Sequence, residues 1–166
     1  MAHEELLNAW LKDAYSMEMG LVPVLKQHAD DAKDLPEVQR RDLQHMEETK
    51  RHAEMVKACI ERRGDNVSSI KTAIGGMVGT VQSVATAPFG DEPVKNALSD
   101  YAAEQFEVAC YKALVHTAEQ LGDKQTAQVC RQIMQEDMEM AKWIEQHMPT
   151  VINYELQQKA AEHSKN

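Results

Sequence analysis

Four glutamates, Glu18, Glu48, Glu107 and Glu136, each fall within an otherwise apolar stripe of a long helical stretch. On such a stripe they face the interior of a helical bundle, where an ionised carboxylate is costly unless something positive meets it. Four of them in one core call for protons, cationic side chains or a metal ion. Carboxylate oxygens, completed by imidazole, suit hard or borderline cations such as iron or manganese. Two such ions can be bridged by carboxylates from facing helices, and open positions on them accept oxygen or peroxide. The spacing therefore points to a carboxylate-bridged metal centre.

An internal repeat sharpens the choice of residues. Glu18 in MEMGL matches Glu107 in FEVAC, and Glu48 in HMEETKRHAEMV matches Glu136 in IMQEDMEMAKWI, with the same displacement to within one residue. Met46, Ala53 and Val56 match Met134, Ala141 and Ile144. The alignment selects Glu107 over Glu104 and Glu136 over Asp137. Bundles that hold two metal ions carry a Glu on two helices and Glu-x-x-His on the other two. Here Arg51 follows Glu48 by three residues and Glu139 follows Glu136 by three. The inward imidazole is His52, one residue later, and its repeat equivalent is Met140. Glu139 is expected to add an oxygen and Glu104 to assist from the preceding turn. The expected ligand set is carboxylate-rich and histidine-poor: Glu18, Glu48, His52, Glu107, Glu136, Glu139 and Glu104. His45 reads as structural or surface-facing. Tyr15, Tyr101 and Tyr111 read as core packing, with hydrogen bonds to the carboxylates as the alternative.

Four helices must position these groups. The first spans about 3–29, with Leu7, Leu11, Ala14, Leu21 and Leu25 in phase with Glu18 and a kink expected just past Glu18, where Pro23 leaves the Met19 carbonyl without its donor. The run Asp34-Leu35-Pro36-Glu37 opens the second, which Gly64 stops. Its inward face, Val38, Arg41, His45, Glu48, His52, Met55 and Cys59, is unusually polar. A crossover over about 65–91 carries its own stripe of Ile70, Ile74, Met77, Val81 and Val84, which predicts an additional helix. Asp91 and Pro93 open the third long helix, with Ala103, Glu107, Cys110, Leu114, Ala118 and Leu121 on one face. Gly122-Asp123 folds the fourth back antiparallel, and Pro149 is expected to close it. Residues 1–149 thus form an all-α, ferritin-like antiparallel four-helix bundle with a long crossover, followed by a tail over 150–166.

Composition narrows the partners. The 166 residues suffice for one domain, and 7 Gly, 5 Pro and 5% aromatic content favour helix over strand. With 27 acidic against 18 basic residues, a net charge of -9 and no basic block, nucleic acid and anionic membrane surfaces are not expected partners. No apolar run is long enough to span a bilayer, and MAHEELLNAW lacks the basic region and long apolar run of a signal peptide, so none is expected. Cys59, Cys110 and Cys130 are widely spaced and odd in number, the mark of reduced thiols in a cytoplasmic protein.

The segments WLKDAYSMEMGL, QHMEETKRHAE, AAEQFEVACYKAL, TAEQLGDKQTA and QEDMEMAKWIEQHMP resemble the YciE/YciF-type ferritin-like family over roughly residues 5–150. The resemblance implies a helical ferritin-like bundle, a homodimer, an association with bacterial stress responses and kinship to rubrerythrin and other di-iron proteins. Two functional readings follow. One is a di-metal protein of iron or manganese reacting with oxygen or peroxide, or handling iron. The other is a metal-free stress or interaction protein whose acidic core is protonated, hydrated or salt-bridged to Arg41 or Arg51. The direction in which Arg51 points separates them.

Overall fold

The computed structural model describes residues 2–68 and 91–164. Among these it contains four α-helices: α1 (Ala2–Asp31), α2 (Pro36–Arg62), α3 (Glu92–Gln120) and α4 (Lys124–His163). α1 packs along α2 and α3 along α4, while α1 also meets α3 and α2 meets α4. Two hairpins therefore close a bundle around one core, the ferritin-like arrangement expected from the sequence. The crossover stripe from Ile70 to Val84, and its additional helix, lie outside the described residues.

The apolar stripe of α1 is buried as its periodicity requires, with Leu7, Leu11, Ala14, Leu21 and Leu25 all at most 9% exposed. α1 runs unbroken through Pro23, which is exposed. α4 does the same at Pro149, where the helix was expected to close: it continues to His163. Pro149 lies on the wet face, where water can satisfy the carbonyl its ring leaves without a donor. Beyond it, Val151 is buried and the Tyr154 hydroxyl donates to Asp34 Oδ2 at 3.2 Å, pinning the extension to the α1–α2 turn. Asp34 consequently does not cap α2, whose N-cap is Leu35 without a side-chain bond.

α2 and α3 each end on a glycine in the left-handed region. Gly64 has φ 78° and Gly122 φ 73°, and in each turn the following residue's N–H reaches back to a helix carbonyl. Asp65 N donates to Ile60 O at 3.1 Å and Asp123 N to Ala118 O at 2.9 Å. Asp123 then starts α4 by accepting from Thr126 N at 3.0 Å and Thr126 Oγ1 at 2.6 Å. Arg63 Nη1 and Arg62 Nη2 reach the same carboxylate at 2.6 and 3.1 Å, tying the α3–α4 joint to the end of α2. Burial resists the charge on Asp123, but the bonds from Thr126 and Arg63 bring its pKa down to about 2. Asp123→Ala is expected to lower stability by about 1–2 kcal/mol, read from the urea midpoint at pH 7. The loss should vanish as the pH falls toward 2, where the wild-type carboxyl is itself neutralised.

Candidate metal centre

Midway along the bundle the core turns polar. Glu18 of α1, His45, Thr49 and His52 of α2, Glu104 and Glu107 of α3, and Asp137 of α4 are all at most 3% exposed. Each helix supplies at least one ionisable group to a space otherwise closed by Tyr111 and Met140, both fully buried.

The hydrogen bonds divide these groups into an inner set and a rim. In the inner set, the Tyr111 hydroxyl donates to Glu18 Oε1. His45 Nε2 lies 2.6 Å from Glu104 Oε1. His52 Nδ1 stands 3.7 Å from Glu18 Oε2 and 3.6 Å from Asp137 Oδ1, too far to bond either. Five inner atoms are therefore buried without a partner: Glu18 Oε2, His52 Nδ1, Glu104 Oε2 and both oxygens of Asp137. They come from four different helices.

The rim is neutralised by guanidinium groups. Glu48 accepts from Arg41 Nη1 at 2.9 Å and Gln44 Nε2 at 2.8 Å, with His45 Nδ1 at 3.3 Å. Glu136 is bound by Arg51, by His52 Nε2 at 2.8 Å and by Gln132 Nε2 at 3.1 Å. Burial works against the charge on both, but the bonds from His45 and Arg41 bring Glu48 down to about 2. Glu136 is likewise held low by His52, Gln132 and Arg51. Arg51 thus points at Glu136, and Arg41, not Arg51, engages Glu48.

Proton affinities in the inner set run the other way. Burial, then the Glu18, Glu104 and Asp137 carboxylates, holds Glu107 well above the usual carboxylate range. Asp137 is pushed up to about 9 by burial and by Glu104 and Glu18, against the pull of His45. Glu104 is raised by burial despite His45. For His45, burial disfavours the charge, but the Glu104 field and hydrogen bond and the bond to Glu48 outweigh it, raising it to about 10. His52 is raised against the same opposition by Glu18 and then Glu136. Carboxyls crowded in one dry space hold protons because they cannot all ionise together.

The seven sequence-selected ligands therefore separate. Glu18, Glu104, Glu107 and His52 come together in the core, Glu48 and Glu136 stand at its rim, and Glu139 does not join it. Glu139 is exposed and accepts from Gln135 Nε2 at 3.2 Å. Two residues beyond the inward Asp137, it is turned about 200° away around the helix. Sequence reasoning passed over Asp137 and His45. The stripes His45–His52 and Ile133–Met140 admit either of two adjacent intermediate positions, since steps of three-then-four and four-then-three are both helical. The tilt of the packed helices puts Thr49 and Asp137 inward, and Glu48 and Glu136 beside them. Tyr111, for which packing was the first reading, is both packed and bonded to Glu18.

Among the described residues, no three His, Cys, Asp or Glu side chains are already arranged to hold a metal ion. The donor set nevertheless fits one. Unpartnered carboxylate oxygens and an unpartnered imidazole nitrogen are the atoms a hard or borderline cation takes.

The fold has relatives of known structure. A protein from Xanthomonas campestris pv. campestris is 32% identical, covering 96% of this chain and 99% of its own, with a TM-score of 0.82. The Escherichia coli stress protein YciF is 21% identical, covering 91% of this chain and 97% of its own, with a TM-score of 0.77. Bacterioferritin from Desulfovibrio desulfuricans, which has a diiron site, is 19% identical and covers 92% of this chain and 83% of its own, with a TM-score of 0.73. At these last two identities the likeness establishes the ferritin-like four-helix fold. Residues 2–157 match the family described as a domain of unknown function, DUF892, and the chain belongs to that family.

Proposed function

We propose that the inner cluster is a di-metal centre for iron or manganese, held by Glu18, Glu104, Glu107 and Asp137 with His52, while His45 positions Glu104. The observation that carries the proposal is the set of five buried, unpartnered donor atoms contributed by four helices. Such atoms are expensive to bury, and a cation would satisfy several at once. A bound pair of ions would supply a site for reduction of oxygen or peroxide, or for iron handling. The chain's own residues do the rest. Tyr111 fixes Glu18 Oε1 and leaves Oε2 facing the cluster. His52 holds Glu136 through Nε2 and presents Nδ1 inward, and the Arg41 and Arg51 pairs keep the rim carboxylates outward.

A second reading has its own observation in favour. Arg41 and Arg51 already neutralise the rim, His45 meets Glu104, and burial among other carboxylates favours the protonated forms of Glu107 and Asp137, so the core is self-consistent as a metal-free bundle with a vestigial site. The name of YciF as a stress protein supports a stress role under either reading. The three free thiols support a cytoplasmic location, and a homodimer belongs to the same reading, checked by sedimentation. Among the described residues, no helix is long and apolar enough to cross a membrane.

Elemental analysis of protein purified without chelator tests the two readings. The di-metal reading expects stoichiometric iron or manganese, abolished in Glu18→Gln and Glu107→Gln and reduced only partly in the rim variant Glu48→Gln. Adding the ion at a hundred times its Kd should raise stability by about 2.7 kcal/mol, seen as a higher Tm. Equal trace metal in all proteins, with no shift in Tm, supports the metal-free bundle.

A further inference from the structure

An ion bound in the inner cluster has to reach it from water, and among the described residues polar groups lead there along the α2–α4 seam. The cavity of about 250 Å³ between α1 and α3 is lined, apart from Asp13, by apolar side chains such as Trp10, Met17 and Phe106, and none of the cluster's groups lines it. An apolar wall offers a hydrated cation nothing in exchange for its water.

On the seam the polarity is continuous. Arg51 of α2, its side chain 52% exposed, binds Glu136 of α4, whose side chain is 25% exposed. Glu136 in turn meets His52 Nε2 at 2.8 Å. His52 is buried, and its unpartnered Nδ1 stands 3.7 Å from Glu18 Oε2 and 3.6 Å from Asp137 Oδ1. Exposure thus falls step by step from solvent to the donors that lack partners. A parallel line runs from Arg41 through Glu48 and His45 to Glu104, but the Arg41 side chain is only 17% exposed. Of the two guanidinium groups, Arg51 is the one that can swing into water without giving up packing.

We propose that the α2–α4 seam is the entry route for the divalent cation, with Arg51 as its displaceable plug and Glu136 as the carboxylate that receives the ion from water and passes it inward. The inference rests on the di-metal reading of the inner cluster. An arriving ion takes the place of the guanidinium on Glu136, a cation exchanged for a cation, so the half-sheltered carboxylate is never left bare. Exposed side chains change rotamer quickly, so the share of time that Arg51 stands away from Glu136 sets how often the route is open. A surface ion pair is weak enough for that share to be appreciable.

The test offers Fe²⁺ and Mn²⁺ separately, without oxygen, to the chelator-stripped full chain. Free ion is trapped with chelator at set times and the bound metal is counted; release into excess chelator is followed in the same way. Arg51→Gln is expected to load and to release about two- to fivefold faster than wild type, the occupancy that an exposed ion pair gives up, with the same final metal content. High salt should narrow that advantage, because screening loosens the pair in the wild type. Glu136→Gln should load more slowly than wild type, although it too frees Arg51. Arg51→Gln that loads no faster, ends with less metal or keeps its full advantage in high salt overturns the proposal, as does Glu136→Gln that loads as fast as wild type. In each of those cases stoichiometric metal in the wild type leaves the di-metal reading standing. A wild type that binds neither ion stoichiometrically overturns that reading, and the entry route with it.

Discussion

Leucine in place of His45 is expected to cost the metal-free protein about 3–5 kcal/mol at pH 8, the usual loss when one partner of a buried ion pair is removed. His45 is 3% exposed and its Nε2 is the partner of Glu104 Oε1, while Glu104 Oε2 already has none. Without the imidazole the whole Glu104 carboxylate stands alone in the core. Urea unfolding at pH 8 and pH 5 would read the loss. It should be smaller at pH 5, because Glu104, already raised by burial, can take a proton to relieve its charge. Leucine at both His45 and Glu104 should recover most of the stability, since a buried pair often exchanges for apolar groups at little cost. A single variant that loses less than about 1 kcal/mol at pH 8 would show that this pair does not anchor the core.

Alkaline pH is expected to weaken the metal-free wild type by an amount on the order of 2–4 kcal/mol between pH 6.5 and 10. Against the opposing effect of burial, Glu104 and Glu48 raise His45 to about 10 from an ordinary value of 6.5. Below pH 6.5 both folded and unfolded chains carry that proton, and the His45–Glu104 pair contributes fully. Above it the unfolded chain sheds the proton first, and the contribution is gone once the pH passes 10. Asp137 acts with the same sign, because burial, Glu104 and Glu18 raise it from 3.8 to about 9. Its folded carboxyl keeps a proton that the unfolded one has lost, so stability falls with pH until about 9. Glu48 acts in the opposite direction. Brought down to about 2 by His45 and Arg41 despite burial, it contributes above its ordinary value of 4.5, and the contribution is lost as the pH falls through 2. Melting temperatures across a buffer series should therefore peak on the mildly acidic side. His45→Leu should flatten the alkaline limb. Under the di-metal reading, saturating Mn²⁺ should flatten it as well, since a cation then takes the place of the protons. A Tm that rises from pH 6.5 to 10 in stripped protein would contradict the electrostatics of the core.

Much of the bundle was legible in the sequence because its determinants are local. Leu7, Leu11, Leu21 and Leu25 share one helical face by periodicity alone, and that face is buried. Gly64 and Gly122 end helices because the left-handed turn they adopt strains any residue with a Cβ. The helix end expected at Pro149 is the exception. Pro23 and Pro149 both lie inside continuous helices on exposed faces, where solvent accommodates the missing bond. The anchors that carry α4 past Pro149, Val151 and the Tyr154–Asp34 bond, depend on a segment far away in the chain.

By itself, then, the chain's order of residues determined four amphipathic helices, two tight hairpins and a belt of carboxylates crossing a greasy core. Helical period, helix ends and turn chemistry act over a few residues and need no neighbours. Only the tertiary structure decided which carboxylates face inward. Adjacent positions such as Glu136 and Asp137 differ by about 100° around the helix, a rotation that periodicity tolerates and packing does not. It also decided that Arg41 and Arg51 lie with the rim glutamates, while His45 lies with Glu104. The Arg51 and His45 pairings link different helices, so they exist only once the four rods have found their tilt, whereas Arg41 reaches Glu48 along α2 itself.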